Sequence, residues 1–198
     1  MTPIAKAFPT DIGVEVASIG LQVHGGMGFI EETGAAALYR DARIASIYEG
    51  TNGIQAIDLV IRKLPQSDGE HVHGYVAELV ETVAALRRSN LDGFGRSAER
   101  LEQAIDDMAA ATRHLQAMLA DGETDKALAG ATPYLRLFAL AAGGAHLSRA
   151  ALADQSPQRI ALCRFFAENM VGETAPLRDQ VCSGGEGLLA AGKSLVTA

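Results

Sequence analysis

The stretch Val72-His73-Gly74-Tyr75-Val76-Ala77-Glu78-Leu79-Val80-Glu81-Thr82-Val83-Ala84-Ala85-Leu86 decides the fold class. Val72, Val76, Leu79, Val83 and Leu86 recur at intervals of three and four, so they line one face of a helix. Beyond the break at Asp92-Gly93-Phe94-Gly95 the pattern returns in Leu101, Ile105, Met108, Leu115 and Leu119. A break that short predicts two antiparallel helices packed as a hairpin. After Asp121-Gly122 comes a third helical pattern, in which Thr132-Pro133 is either an N-cap and N1 pair or a kink within one longer helix running to about Ala153. Ser156-Pro157 opens a further helix that buries Ile160, Phe165 and Phe166, and the glycines from Gly184 onward predict a fraying end.

In the other direction, Gln66-Ser67-Asp68-Gly69-Glu70 is polar and contains glycine. It reads as a linker, dividing the chain into residues 1–65 and 66–198. In the first part, Ile12, Val16, Ile19 and Val23 form a helical stripe entered after Pro9-Thr10-Asp11 and stopped by Gly25-Gly26-Met27-Gly28. Thr33 is placed to cap a short segment through Ala35–Tyr39. Thr51 or Asn52 is placed to cap a helix with Ile54, Ile57, Ile61 and Leu64 on one face, ended by Pro65.

Composition agrees with an all-α chain. Ala, Leu and Gly dominate, Trp is absent and aromatic residues make up only 5%, which favours helices packed through small residues over a β-sandwich. A net charge of -7 supplies no basic surface for nucleic acid or anionic membrane. No apolar run approaches the roughly 20 residues of a membrane span, and no signal-type stretch opens the sequence, so a cytoplasmic location is expected. Cys163 and Cys182 lie outside any ligand spacing, and Cys163 falls on an apolar helix face that places it in the core. His71, His73, His114 and His146 pair with nothing at metal-binding intervals, so no metal is expected. Gly187-Leu188-Leu189-Ala190-Ala191-Gly192-Lys193-Ser194 fits the spacing of a phosphate-binding loop, but such a loop follows a strand and opens a long helix, and this one does neither.

The densest chemistry lies in three blocks: Gln22-Val23-His24-Gly25-Gly26-Met27-Gly28-Phe29, Tyr39-Arg40-Asp41-Ala42-Arg43, and Ile47-Tyr48-Glu49-Gly50-Thr51-Asn52-Gly53-Ile54-Gln55. Glu49 stands beside a glycine that lets a ligand approach the backbone and is flanked by apolar Ile47 and Tyr48, which makes it a candidate base. A carboxylate near its ordinary pKa of about 4.3 is a weak base, so the site has to desolvate it against the opposing pull of a helix N-terminus. Arg40 and Asp41 read as an ion pair or helix-end contact that shapes the loop, and His24 as a helix-end residue satisfied by carbonyls.

In order and spacing these blocks resemble the acyl-CoA dehydrogenase family, over Met1 to about Leu64. The resemblance implies half of that family's C-terminal helical bundle, followed from residue 66 by an additional helical domain like that of the long members. Tyr134-Leu135-Arg136-Leu137-Phe138 and Ala141-Ala142-Gly143-Gly144-Ala145 carry the latter likeness. It also implies that Glu49 removes the α-proton of an acyl-CoA, with Gly50 beside the substrate and the Glu49 N–H on the thioester carbonyl. Gln22, Val23, His24, Gly25, Gly26 and Thr51 would then contact FAD, the first five at its adenosine-diphosphate half in a neighbouring subunit. Gly53 departs from the family, where glutamine is common, so a side-chain contact to flavin is lost there. The partners implied are acyl-CoA, an electron-transfer flavoprotein, a second copy of the chain and the N-terminal dehydrogenase portion. A different class of reading is a non-catalytic helical module that only oligomerises or binds a partner; either way, an apolar face on Ile12, Val16 and Ile57 calls for a cover.

Overall fold

The computed structural model describes residues 1–196, and every regular element among them is helical. The α-helices are α1 Thr2–His24, α2 Gly26–Phe29, α3 Ala35–Ile44, α4 Asn52–Asp58, α5 Glu70–Ser89, α6 Ser97–Ala120, α7 Thr124–Ala129, α8 Ala131–Asp154, α9 Pro157–Asn169 and α10 Thr174–Val196. The expected all-α architecture is what forms.

Helix α8 is the centre of the molecule, touching α1, α4, α5, α6, α9 and α10. Tyr134, Leu137, Leu140, Ala141 and Ala145 are buried along it. The small-residue run makes this crowding feasible: a Cβ on Gly144 would collide with Leu101 of α6, and one on Gly143 would stand 3.4 Å from the Phe166 ring of α9. Helices α5 and α6 form the antiparallel hairpin, with Arg87 bound to Glu102 near one end and His73 3.2 Å from Gln116 near the other. Tyr75 of α5 stacks on Phe138 of α8 at 5.7 Å. Asp107 of α6, 1% exposed, accepts from Arg178 and Thr174 at 2.7 and 2.9 Å, which fixes α10 across α6.

Several local expectations are corrected. Helix α1 begins at Thr2, ten residues before its apolar stripe. Pro3 occupies the first turn, where a missing N–H costs nothing, whereas Pro9 lies inside the helix. Ile4 and Ala7 are buried just ahead of the interruption, and their packing holds the helix together there. Thr33 does not cap α3; its hydroxyl donates back to Met27 O and Ile30 O, and Gly34, at φ 77°, starts the helix. Helix α8 is separate from α7, with Gly130 at its N-cap and Pro133 in its first turn. Ser156 does precede Pro157 at the start of α9, but its hydroxyl donates to Asp154. Cys163 and Ala167 are buried there with Ile160 and Phe166 packed alongside, while Phe165 points outward. Helix α10 continues through its glycines instead of fraying. Gly185 lies close against α7, where a Cβ would stand 3.3 Å from Lys126 O. Gly187–Ser194 is therefore helical and forms no phosphate-cradling loop.

The face of α4 is also not the one its isoleucines trace. Ile54 and Ile57 are exposed, and Ala56, Leu59, Val60 and Leu64 are buried. A π-helical turn over Leu59–Lys63, closed by Leu64 N–H donating to Leu59 O at 3.0 Å, inserts one residue and rotates the pattern. The 66–70 segment is a tight left-handed turn at Ser67, Asp68 and Gly69, with Gly69 buried against Gln116. Ile4, Ala7, Leu59 and Leu64 before it share one buried cluster with Val72, Leu135 and Phe138 after it.

Candidate active site

The segment between α3 and α4 is a closed loop. After α3 ends at Ile44, the N–H groups of Ile47 and Tyr48 return to Ile44 O at 3.0 and 3.2 Å. Ser46 is buried, its hydroxyl donating to Arg43 O and contacting the Arg43 guanidinium. Its carbonyl accepts from Asn52 N–H at 3.2 Å, so residues 46 and 52 meet at the neck.

Glu49 and Gly50 form the tip, with φ of 55° and 83°. Glycine meets that geometry without penalty, but a left-handed glutamate costs about 1–2 kcal/mol. Such strain persists only where neighbours enforce it. Here they do: Gln55 Nε2 donates to Glu49 O at 3.1 Å and Lys6 Nζ donates to Gly50 O at 2.8 Å. Thr51 is the N-cap of α4, its hydroxyl accepting from Ile54 N–H at 3.3 Å. Of the two candidate caps, it is therefore Thr51 that performs the task.

Asn52 takes a different part. Its Nδ2 donates to Ala7 O, Thr10 Oγ1 and Asp11 Oδ1 at 3.1, 2.9 and 2.6 Å, and its Oδ1 accepts from Lys6 Nζ at 2.8 Å. The partners fix which end of the amide is nitrogen, because Lys6 only donates and Ala7 O only accepts. The loop is thereby bolted to the first half of α1. Lys6, Asn52 and Gln55 anchor the loop through contacts that the sequence did not reveal; Lys6 lies 44 residues from Gly50 and 46 from Asn52.

The Glu49 side chain lies on the surface, with exposed Ile47, Tyr48 and Ile54 around it. A surface laid over these apolar groups would strip water from the carboxylate and raise its proton affinity. The Glu49 N–H donates to no backbone acceptor among the described residues, so it is available to an oxygen brought to the loop.

Gln22, Val23, His24, Gly25 and Gly26 are brought to a second place, the far end of α1. All five are exposed. From Thr10, which touches Asn52, to Gln22 is about 18 Å along the helix axis. Gly25 has φ 61°, and both Gly25 and Gly26 have open space where a Cβ would stand. Arg40 pairs at the surface with Glu31, 3.4 Å away, which makes it a loop-shaping residue. Among the described residues no cluster of metal-ligating side chains occurs, and no helix is long and apolar enough to cross a membrane.

Residues 1–64, which hold both exposed stretches, match the model of the acyl-CoA dehydrogenase C-terminal domain, and residues 75–191 match that described as acetyl-CoA dehydrogenase C-terminal like. Over 96% of its length the chain is 38% identical to the 3-methylmercaptopropionyl-CoA dehydrogenase of Ruegeria pomeroyi. The chain belongs to the acyl-CoA dehydrogenase family. It spans 34% of that relative's length. A butyryl-CoA dehydrogenase of Syntrophomonas wolfei is 39% identical over 41% of the chain and 13% of its own length. A subunit of the caffeyl-CoA reductase-Etf complex of Acetobacterium woodii is 40% identical over 26% of the chain and 14% of its own length. For an acyl-CoA dehydrogenase chain, the tied-down Glu49 turn and the open glycine edge become the two places where chemistry is to be sought.

Proposed function

We propose that this chain supplies the base-bearing loop and one edge of the cofactor site of an FAD-dependent acyl-CoA dehydrogenase that converts acyl-CoA thioesters to trans-2-enoyl-CoA. Residues 1–65 carry the site, and residues 66–198 form an additional helical domain that buttresses it through α8. The observation that carries this reading is the strained, side-chain-anchored turn that presents Glu49 at the surface beside Gly50.

Glu49 takes the α-proton. Gly50, exposed and without a side chain, stands beside the thioester, and the Glu49 N–H donates to its carbonyl oxygen as negative charge develops there. Substrate covering Ile47, Tyr48 and Ile54 would desolvate the carboxylate. FAD, when bound, supplies the acceptor for the β-hydride. The residues present fit a dinucleotide laid along the surface: Gly25 and Gly26 are open to a close approach and Gln22, Val23 and His24 stand exposed around them. Thr51 lies at the other place, at the start of α4 beside the Glu49 turn, so the two sets of contacts suit an elongated cofactor or the cofactors of two copies. The electron acceptor is an electron-transfer flavoprotein, in keeping with the Etf complex to which one relative belongs.

The test is Glu49→Gln in the complete flavoprotein. A general base is worth about 10²–10⁴-fold in rate, so kcat should fall at least a hundredfold while acyl-CoA still binds; a retained rate would refute the assignment. The 198-residue chain by itself presents only an open edge, and it is expected to purify without flavin absorbance.

A further inference from the structure

Lys6 is half-buried on α1 and directs its ammonium at the neck of the Glu49 loop. It donates to two acceptors at 2.8 Å each, Gly50 O at the tip and Asn52 Oδ1 at the start of α4. Asn52 in turn donates to Ala7 O, Thr10 Oγ1 and Asp11 Oδ1. Four acceptors and donors on two consecutive turns of α1 thus converge on two loop residues. The carbonyl of Glu49 is fixed separately by Gln55.

This network acts where the backbone most needs holding. Glu49 and Gly50 are consecutive left-handed residues, and a non-glycine residue leaves that region when nothing enforces it. Each held carbonyl fixes a peptide plane: Gln55 fixes the plane that follows Glu49, and Lys6 the plane that follows Gly50. Together they hold the backbone that follows the Glu49 Cα and carries its side chain. Lys6 makes no ion pair with the Glu49 carboxylate among the described residues, so it orients the base without quenching it.

We propose that Lys6 and Asn52 are positioning residues for Glu49, a two-residue clamp that holds the base-bearing turn against α1 in its left-handed conformation. The proposal rests on the reading of Glu49 as the base. Neither residue touches the reacting atoms; each acts through the turn.

The experiment compares Lys6→Met, Lys6→Arg and Asn52→Ala in the complete flavin-loaded dehydrogenase, with Glu49→Gln as a reference. Hydrogen exchange is read at the amides of Asn52, Ile54 and Gln55, whose acceptors are Ser46 O, Thr51 Oγ1 and Thr51 O. In Lys6→Met and Asn52→Ala these amides should exchange at least about tenfold faster while those of α5 and α6 are unchanged, a local loosening. Because misplacing a catalytic group by about 1 Å costs on the order of 10²-fold, kcat should fall roughly ten- to a hundredfold with KM within about twofold. Lys6→Arg, which keeps a cationic donor, should recover most of that loss. Faster exchange with an unchanged kcat, or a raised KM with kcat intact, would overturn the proposal. So would unchanged exchange at these three amides. If Glu49→Gln keeps its rate, the base assignment falls instead, and the exchange data still decide whether the clamp holds the turn.

Discussion

At the scale of single residues, Glu49 pays for its position in backbone strain, and that strain is measurable without any substrate. Glycine is at ease at φ 55°, whereas glutamate there costs about 1–2 kcal/mol, partly offset by the greater unfolded-state entropy of glycine. Glu49→Gly should therefore leave stability to urea unchanged or raise it by up to about 1 kcal/mol, even as it removes the proposed base; a clear loss of stability would mean that the carboxylate holds the loop. Gly50→Ala should do the opposite. Its Cβ would stand 3.1 Å from Gln55 Nε2 at φ 83°, so a loss of about 1–2 kcal/mol is expected in the same measurement. The two cysteines give a further contrast. Burial pushes the Cys163 thiol up from its ordinary value, and Ser148 Oγ lies 3.3 Å from its sulfur. Since the thiolate is the reactive form, a thiol reagent at neutral pH should label half-buried Cys182 well before Cys163. Equal rates would show that α9 opens readily.

At the scale of elements, the helices read most easily in the sequence are those whose period is uninterrupted. Val72 to Leu86 and Leu101 to Leu119 keep a 3.6-residue period, and α5 and α6 follow it. The start of α1 was hidden by Pro9, because a proline is the strongest local stop signal and only the burial of Ile4 and Ala7 outweighs it. The face of α4 was hidden by the π turn, which no periodicity anticipates. Glycine misled once, in α10, where it serves close packing rather than breaking the helix, as it does in α8. Gly144→Ala would drive a methyl into Leu101, and overpacking of this kind costs about 1–3 kcal/mol; thermal unfolding should register it, and an unchanged midpoint would mean that α6 and α8 have room to part. The junction of α9 with the start of α6 is electrostatic. Glu168 accepts from Arg96 N–H at 3.0 Å and from Arg164, and the Arg96 N–H first, then Arg164, hold its carboxyl below the usual range. A lowered folded-state pKa means that this stabilisation is present above the unfolded value of about 4.3 and is lost as pH falls through the folded one. Glu168→Gln should thus destabilise at pH 7 and do so less at pH 3; an equal penalty at both would rule out the charge as its cause.

At the scale of the whole molecule, apolar side chains are open to solvent on α1–α4, and on α9 and α10 at Leu162, Phe165, Leu188 and Leu195, and are hidden between them. Val23, Phe29 and Leu38 are 81%, 85% and 69% exposed, and Val16, Ile19, Met27, Ile44 and Ile54 are also open to solvent, all on or beside α1–α4. The helices from α5 to α8 hide nearly all of theirs around Tyr134, Leu137 and Leu140. Of the face foreseen at Ile12, Val16 and Ile57, Val16 and Ile57 are exposed and Ile12 is half-buried, so the open surface lies farther toward the end of α1. The contiguous block around Glu49 was legible in the sequence because its residues are neighbours in the chain. Its supports were not, since Lys6 and Asn52 meet only when α1 lies across the loop. Contiguous apolar patches beyond a few hundred Å² are rare on monomers, and each Å² removed from water is worth about 25 cal/mol. The 198-residue chain should therefore self-associate, burying Val23 and Phe29. Light scattering across a range of concentrations should give a mass at least twice the 20.7 kDa of one chain. Replacing both residues, Val23→Lys with Phe29→Lys, should return it toward a single chain while helicity stays the same, because neither side chain contributes to the buried cluster. A monomer at every concentration would mean that this face is tolerated in water, and the association would have to be abandoned.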